Sequence, residues 1–221
     1  MSDEPVILLA GDPGVGKSTI ARALAHRLGG SSGGTGSCVR AMAASKGLSL
    51  EAFNALLAER PDEDVAIDAL AAQRVARGEF AVFESRLAGH LGRWLRNCGR
   101  VGAVAIYLRC APVEQALRLL RREGSLAMRE VAAAYLADAR FDSLEACASA
   151  LREGAMGDAA AILERQAART AADRARMRAL YGVELDEKGL YDEVIDTTRA
   201  SIDGCVVGLE RRYAEMRTHH G

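Results

Sequence analysis

The stretch "GDPGVGKST", residues 11–19, decides the fold class of this chain. Its glycines and its lysine have the spacing of a phosphate-binding loop: Gly11, Gly14, Gly16 and Lys17. Glycines let a loop fold around an anion, so that backbone N–H groups and the positive end of the next helix face it. The run "PVILLA" before the loop predicts a buried strand, and "IARALAHRL" after it predicts an amphipathic helix. Because such a loop requires this context, we expect the chain to bind a nucleoside triphosphate.

The polar residues of this loop suit separate tasks. The Lys17 ammonium can reach terminal phosphates as a point charge. The Ser18 hydroxyl is a hard oxygen of the kind that Mg²⁺ prefers, and Thr19 completes the set expected to contact the nucleotide. Asp12 is expected to form the turn, because an acid beside phosphates is unfavourable unless a cation intervenes. The loop therefore predicts ATP and Mg²⁺ as cofactors.

The composition restricts the partners and the compartment. The chain has 221 residues, 49% of them hydrophobic, and a net charge of −1, which gives no sign of a nucleic-acid or membrane surface. Its apolar runs are far shorter than the roughly 20 residues that span a bilayer, and "MSDEPV" lacks the parts of a secretion signal. Five dispersed cysteines without a CxxC indicate free thiols in a reducing compartment. We expect a cytoplasmic monomer with small-molecule nucleotide partners.

Strand patterns alternate with helix patterns along the chain, which predicts an α/β fold with a parallel sheet in three layers. The strand patterns are "PVILLA", "EFAVFES", "GAVAIYLRC" and "YDEVIDTT". The segment "GGSSGGTGS", residues 29–37, is interpreted as a flexible connection, and residues 38–78 as helical pieces, one capped by Ser49. Residues 125–182 favour helix almost throughout, with a break near Gly154 and Gly157.

Four further segments carry hydroxyl, acidic and arginine side chains. A kinase for a small acceptor needs a second anion site opposite the loop, and arginines that neutralise the moving charge. "FESRLAG", residues 83–89, follows a strand at the sheet edge where ligands bind in open parallel sheets. "TGSCVR", residues 35–40, follows the first helix, and "RREG", residues 121–124, ends the helix after the third strand. "RTAADRAR" has i, i+4, i+7 spacing, which puts three residues on one helical face: Arg169, Asp173 and Arg176.

Together these segments resemble the nucleoside monophosphate kinases, and within them the shorter cytidylate kinases. "GLSLEAF", residues 47–53, is similar to the family's acceptor-binding helices, and "ESRLAG" resembles the family's "EGRLAG". "ALYGVELDEKGLYDEVIDTT" is similar to the closing segment, whose strand lies near the donor base. The resemblance spans residues 5 to about 124 and 165–215. It implies a P-loop kinase fold with a helical acceptor-binding insert and an enlarged helical lid region.

The resemblance also implies a division of residues 1–221 within one kinase domain. The expected parts are a core of residues 1–30, 79–124 and 183–221, an acceptor-binding insert of residues 31–78, and a lid with a helical insert at residues 125–182. Residues 126–164 exceed what the short lid requires, and we expect an inserted helical hairpin there that could serve a protein partner.

The activity implied by the resemblance is transfer of the γ-phosphoryl group of ATP to CMP or dCMP. The residues implied to bind the acceptor are Thr35, Arg40, Arg86 and Asp173. The residues implied to stabilise the transferred charge are Lys17, Arg122, Arg169 and Arg176. Ser18 and Glu84 are implied to hold Mg²⁺, and Asp64 and Asp68 match acidic positions of the acceptor domain.

Other interpretations stay open at this point. Each of these arginines could instead be a solvated or structural charge, and Glu84 could pair with an arginine rather than with a metal. Ser85 stands where the family has glycine, which puts a Cβ where the backbone otherwise approaches closely. The chain could therefore be a nucleotide-binding module with weak or no turnover, or a P-loop kinase for another small acceptor.

Overall fold

The computed structural model describes residues 4–99, 102–137, 139–187 and 189–218. Its sheet contains β1 (Val6–Ala10), β2 (Ser32–Gly34), β3 (Val82–Glu84), β4 (Ala103–Arg109) and β5 (Glu193–Asp196). All neighbouring strands are parallel, and their order is β2-β3-β1-β4-β5. The predicted α/β class with a parallel sheet is confirmed, and the loop of the opening stretch follows the central strand.

The helices surround this sheet. They are α1 (Lys17–Arg27), α2 (Thr35–Ser45), α3 (Leu50–Glu59), α4 (Pro61–Ala76), α5 (Ala88–Asn97), α6 (Pro112–Glu123), α7 (Leu126–Leu136), α8 (Leu144–Glu153), α9 (Gly157–Tyr181) and α10 (Ile202–Thr218). Ser49 caps α3 as predicted, because its hydroxyl accepts a hydrogen bond from Ala52 N at 3.1 Å. In the described part of the chain, no helix combines the length and the apolar character that crossing a membrane requires.

The central strand shows why the fold has three layers. All five residues of β1 are buried, as expected for a parallel strand that is covered on both faces. Its side chains alternate: Ile7 and Leu9 pack with α1 and α10, whereas Leu8 packs with α4 and α5 on the opposite face. Each burial of a large aliphatic side chain contributes about 1.5–3 kcal/mol, so this strand anchors both layers.

The expected hairpin at residues 126–164 is wrong in its number of helices. This segment contains α7, α8 and the start of α9, which build a third apolar cluster against α6. Ser143 divides the segment, because its hydroxyl accepts a hydrogen bond from Ala146 N at 3.1 Å and begins α8. The predicted break near Gly154 and Gly157 is present, since α8 ends at Glu153 and α9 begins at Gly157.

The expected flexible connection at residues 29–37 is also wrong in part. Residues 32–34 form β2, which pairs with β3 at the edge of the sheet. Gly33 fits there because the Phe80 ring fills the space beside it, and a Cβ on Gly33 would lie 2.4 Å from that ring. The missing side chain is thus a packing requirement, and α2 starts directly after the strand.

Candidate active site

The phosphate-binding loop has the backbone shape that its sequence predicts. Gly11, Gly14 and Gly16 have φ values of 134°, 88° and 96°, a region that favours glycine. A Cβ on Gly11 would also lie 2.2 Å from the Leu108 carbonyl oxygen, so the neighbouring strand permits no side chain. Helix α1 begins at the lysine and directs its positive end at the loop. The loop is therefore a cradle for an anion.

Lys17 lies inside this cradle. Its half-buried ammonium donates hydrogen bonds to the carbonyl oxygens of Gly11 at 2.6 Å and Asp12 at 2.8 Å. Burial lowers the pKa of Lys17 to about 8, although the carboxylates of Glu84 and Asp12 oppose this effect. Positive charge of Arg122 and Arg86 adds to the lowering. The hydrogen bonds of the Lys17 ammonium go to main-chain carbonyl oxygens and not to a carboxylate, so a phosphate group bound here would supply its counter-charge.

Ser18 and Glu84 meet at the carboxyl end of the sheet. The Ser18 hydroxyl donates to Glu84 Oε2 at 2.8 Å, and Glu84 stands opposite Leu9 in the register of β3 with β1. Among the described residues there is no group of three or more His, Cys, Asp or Glu side chains that could hold a metal. The pair supplies only hard oxygens, which fits Mg²⁺ bound through few protein ligands together with phosphate and water.

A network of alternating charges faces the loop from the helical side. Arg86 contacts Asp173 of α9, and Asp173 accepts a hydrogen bond from Arg176 at 3.2 Å. Arg176 Nε also lies 2.7 Å from the Asp64 carboxylate on α4. Neither Arg176 Nε nor Asp64 Oδ2 has a hydrogen-bond partner, so the contact between them is an ion pair in which the N–H group is not aligned with the oxygen. The network brings together Arg86 and Asp173, predicted to bind the acceptor, and Arg176, predicted to stabilise the transferred charge.

A second, partly buried contact joins the same two helices, α4 and α9. The Tyr181 hydroxyl donates to Asp68 Oδ2 at 2.9 Å. Burial raises the pKa of Asp68, and the hydrogen bond from Tyr181 opposes this shift. Asp64 and Asp68 thus both face α9, one beside an arginine and one beside a tyrosine.

An open cleft connects the loop with this network. Its walls include Lys17 on the loop side and Arg86, Asp173 and Arg174 on the other side. Two tyrosines also line the cleft, Tyr107 and Tyr191, whose ring centroids are 5.0 Å apart.

Other predicted residues lie outside this wall or have partners of their own. Arg40 and Arg169 are exposed and make no ion pair or hydrogen bond with a described residue, and Thr19 is exposed in the first turn of α1. Arg122 contacts Glu123 at the end of α6, and its side chain is 55% exposed. Thr35 is buried and donates to Ser85 Oγ at 3.0 Å. The structure therefore does not bring Arg40 or Arg169 to the cleft.

The sequence prediction did not include Arg174 or Asp186, and it gave Asp12 no ion-pair partner. Arg174 lies 2.6 Å from Asp186 and 3.3 Å from the carboxylate of Asp12, which was expected only to form a turn. Burial disfavours its charge, but both carboxylates together raise the pKa of Arg174. The spacing of Arg169, Asp173 and Arg176 indicates that α9 contributes to the site, but it does not indicate that Arg174 is the residue that contacts the loop.

The sheet order, the glycine loop after the central strand and the lysine within it define a P-loop kinase fold. A family model described as an AAA domain matches residues 7–136. The chain is 30% identical over 201 residues to a cytidylate kinase from Pyrobaculum aerophilum, a match that covers 91% of this chain and 88% of that protein. The chain therefore belongs to the cytidylate kinase family of P-loop kinases.

Solved structures agree in fold. An uncharacterized protein from Eubacterium ventriosum has a TM-score of 0.60 at 9% identity, covering 96% of this chain and 99% of that one. A gluconokinase from Sinorhizobium meliloti has a TM-score of 0.52 at 16% identity, covering 99% of this chain and 97% of that one. At such low identity the likeness concerns the fold and not the substrate.

Proposed function

We propose that the chain is an ATP-dependent nucleoside monophosphate kinase that transfers the γ-phosphoryl group of ATP to CMP or dCMP. The observation that carries the proposal is the cleft itself. It has Lys17 of the phosphate-binding loop on one wall and Arg86 with Asp173 on the other. Two anionic groups can meet across such a cleft only if cations face both of them. The similarity to cytidylate kinases supports the choice of acceptor.

The loop side would hold the donor. The N–H groups after Gly11, Gly14 and Gly16 and the ammonium of Lys17 would contact the phosphates. Ser18 and Glu84 would hold Mg²⁺, which would supply positive charge to offset that of the phosphates. The hydrogen bond between Ser18 and Glu84 keeps both oxygens at the same edge of the sheet.

The helical side would hold the acceptor. Arg86 would bind the phosphate of the nucleoside monophosphate. Thr35 and Arg40 of α2 do not line the cleft, so their predicted contacts with this phosphate require that α2 move toward it. Arg86 and Arg176 are held by the shared carboxylate of Asp173, which fixes the guanidinium groups before the ligand arrives. An acceptor phosphate is already a nucleophile, so its oxygen attacks the γ-phosphorus in line and no side chain needs to act as a base.

Charge neutralisation would then carry the rate. In this proposal Lys17, Arg122, Arg169 and Arg176 stabilise the charge that spreads over the transferred group. Arg122 is close enough to contribute to the lowered pKa of Lys17. Arg169 lies on the exposed surface of α9, so its role requires that this helix move toward the loop and exclude water.

A coupled assay of ADP release tests the proposal with CMP, dCMP, UMP, AMP and GMP as acceptors. We expect ADP release with CMP or dCMP, and a loss of at least about 100-fold in kcat for Lys17→Ala. Arg27→Ala is the matched control, because Arg27 lies in the last turn of the same helix and pairs on the surface with Glu210. ADP release with none of the five acceptors would refute the proposal.

Two outcomes of calorimetry would favour the alternatives. Binding of ATP and CMP without turnover would indicate a nucleotide-binding module. Binding of ATP without CMP would indicate a P-loop kinase for another small acceptor. The location in the cytoplasm, the monomeric state, a protein partner at residues 126–164 and the division of residues 1–221 stay predictions.

A further inference from the structure

The phosphate-binding loop carries an acid of its own. Asp12 stands between Gly11 and Pro13, and its side chain is part of the cleft wall beside Lys17. A carboxylate at this place repels the phosphates of a donor nucleotide, because the site is partly withdrawn from water and charges act more strongly there. Lys17 does not offset this acid fully, since its ammonium donates to the main-chain oxygen of Asp12 and not to the carboxylate.

Arg174 supplies the missing counter-charge from the other wall. Its Nη2 atom lies 3.3 Å and 3.4 Å from the two carboxylate oxygens of Asp12. These distances are longer than the roughly 2.7–2.9 Å of a tight charge-assisted hydrogen bond. The firm anchor of Arg174 is Asp186, at 2.6 Å from Nη1. Arg174 is therefore held by Asp186 and faces Asp12 as a fixed positive charge.

The pair connects parts of the molecule that are distant in the chain. Asp12 and Arg174 are 162 positions apart, and their contact joins α9 to the loop. Another arginine of the same helix, Arg178, instead pairs with Glu184 on the surface, where its side chain is 61% exposed. Only Arg174 of these two lines the cleft. Arg174 therefore places its charge beside the phosphate-binding loop, whereas the charge of Arg178 lies on the helix surface.

We propose that Arg174 is a positioning residue for the donor nucleotide, which neutralises Asp12 and so keeps the phosphate-binding loop receptive to a triphosphate. The inference rests on the proposed function, because it takes the loop as the ATP site. It treats Asp12 and Arg174 as one unit, so ATP affinity is retained when both charges are present and also when both are removed. An unpaired Asp12 is the state that weakens binding.

A thermodynamic cycle on ATP binding, measured by calorimetry without acceptor, tests this unit. Arg174→Ala should weaken ATP binding about tenfold, because it leaves the acid unpaired beside the phosphates. Asp12→Asn combined with Arg174→Ala should return the dissociation constant to within about threefold of the unsubstituted chain. Asp186→Asn combined with Arg174→Ala should not restore it, since Asp186 does not face the phosphates.

Three variants keep the test specific. Arg174→Lys retains the charge and should retain most of the affinity, whereas Arg174→Gln retains the length and should lose it. Arg178→Ala is the matched control on the same helix and should bind ATP like the unsubstituted chain. Circular dichroism of each variant verifies that the chain is folded, and the two milder substitutions serve if Arg174→Ala unfolds it.

The outcomes separate the two proposals. If the unsubstituted chain does not bind ATP, the proposed function fails and this inference fails with it. If it binds ATP and Arg174→Ala behaves like Arg178→Ala, the inference alone is overturned. It is also overturned if Arg174→Ala weakens binding but Asp12→Asn does not restore it, because Arg174 would then act directly on the ligand or on the fold.

Discussion

The hydroxyl of Thr35 donates a hydrogen bond to the hydroxyl of Ser85 at 3.0 Å, and both side chains are buried. Ser85 also accepts a hydrogen bond from Leu87 N at 3.1 Å. Ser85 therefore has two hydrogen-bond partners. It joins the start of α2, where Thr35 lies, to the loop after β3, where Arg86 lies.

Ser85→Ala should lower the free energy of unfolding by about 1–2 kcal/mol, because it leaves the buried hydroxyl of Thr35 without its partner. Denaturation in urea measures the effect, and Thr35→Val with the double variant gives the coupling energy of the pair. Ser45→Ala is the control, since the Ser45 hydroxyl makes an exposed bond to Met42 O. An additive double variant would show that the two hydroxyls do not stabilise each other.

Stability should depend on pH through Lys17. Its pKa is about 8 in the folded chain and 10.5 ordinarily, so between these values the unfolded chain binds more protons. The contribution of Lys17 to the free energy of unfolding should therefore rise as the pH increases from 8 to 10.5, by about 2 kcal/mol after allowance for solvent screening. Below pH 8 the folded chain carries the full cost of the half-buried ammonium.

Urea denaturation at several pH values from 7 to 10.5 checks this dependence. Lys17→Met should lack the rise, because it has no proton to lose. Lys46→Met should keep the rise. Lys46 lies outside the phosphate-binding loop, and its Nζ pairs with Glu63 Oε1 at 2.8 Å. Equal slopes in the unsubstituted chain and Lys17→Met would contradict the prediction.

Arg86→Ala should raise the KM for CMP about 30-fold, which corresponds to about 2 kcal/mol for a lost hydrogen bond to a charged group. The KM for ATP should change far less, because the proposed function assigns Arg86 to the acceptor phosphate. Steady-state kinetics with each substrate varied in turn measures both values. Arg93→Ala is the control on the following helix, where Arg93 is exposed beside His90. A KM for CMP within twofold of the unsubstituted chain would remove Arg86 from the acceptor site.

Local patterns allowed the sequence to predict the loop, its strand and the alternation of strands and helices. The cap of α3 was found from "SLEA", residues 49–52, and the same four residues recur at 143–146 at the start of α8. The second cap was missed because the surrounding residues favour helix throughout, which hid the boundary. A capping serine thus carried more information than the helix propensity around it.

Long-range pairing was beyond the sequence. The face of α9 that carries Arg169, Asp173 and Arg176 was predicted from spacing, yet Arg169 is exposed and Arg174 meets the loop instead. A helical period places side chains around an axis, but the direction in which the helix packs decides which of them reaches the site. Asp12 shows the same limit, since its partner lies 162 positions further along the chain.

The strand β2 is the clearest case, and it leads to a test. Residues 32–34 show no hydrophobic period, so nothing in their sequence indicates a strand. Gly33 is required because the Phe80 ring occupies the space of a side chain. That ring is fixed by Phe83, at 5.2 Å between centroids, and by Arg74, at 4.8 Å above it. Gly33→Ala should therefore lower the free energy of unfolding by about 1–3 kcal/mol through overpacking against a ring that cannot yield.

Gly208→Ala is the matched control for this substitution. Gly208 lies within α10, and a Cβ there would meet no atom within 4 Å, so alanine should stabilise the chain by about 0.5–1 kcal/mol. The two variants make the same chemical change with opposite expected signs. Urea denaturation of both, with unchanged m-values, separates a packing effect from a general effect of alanine. A Gly33→Ala chain as stable as the unsubstituted one would mean that β2 tolerates a side chain and that its glycines are not required by Phe80.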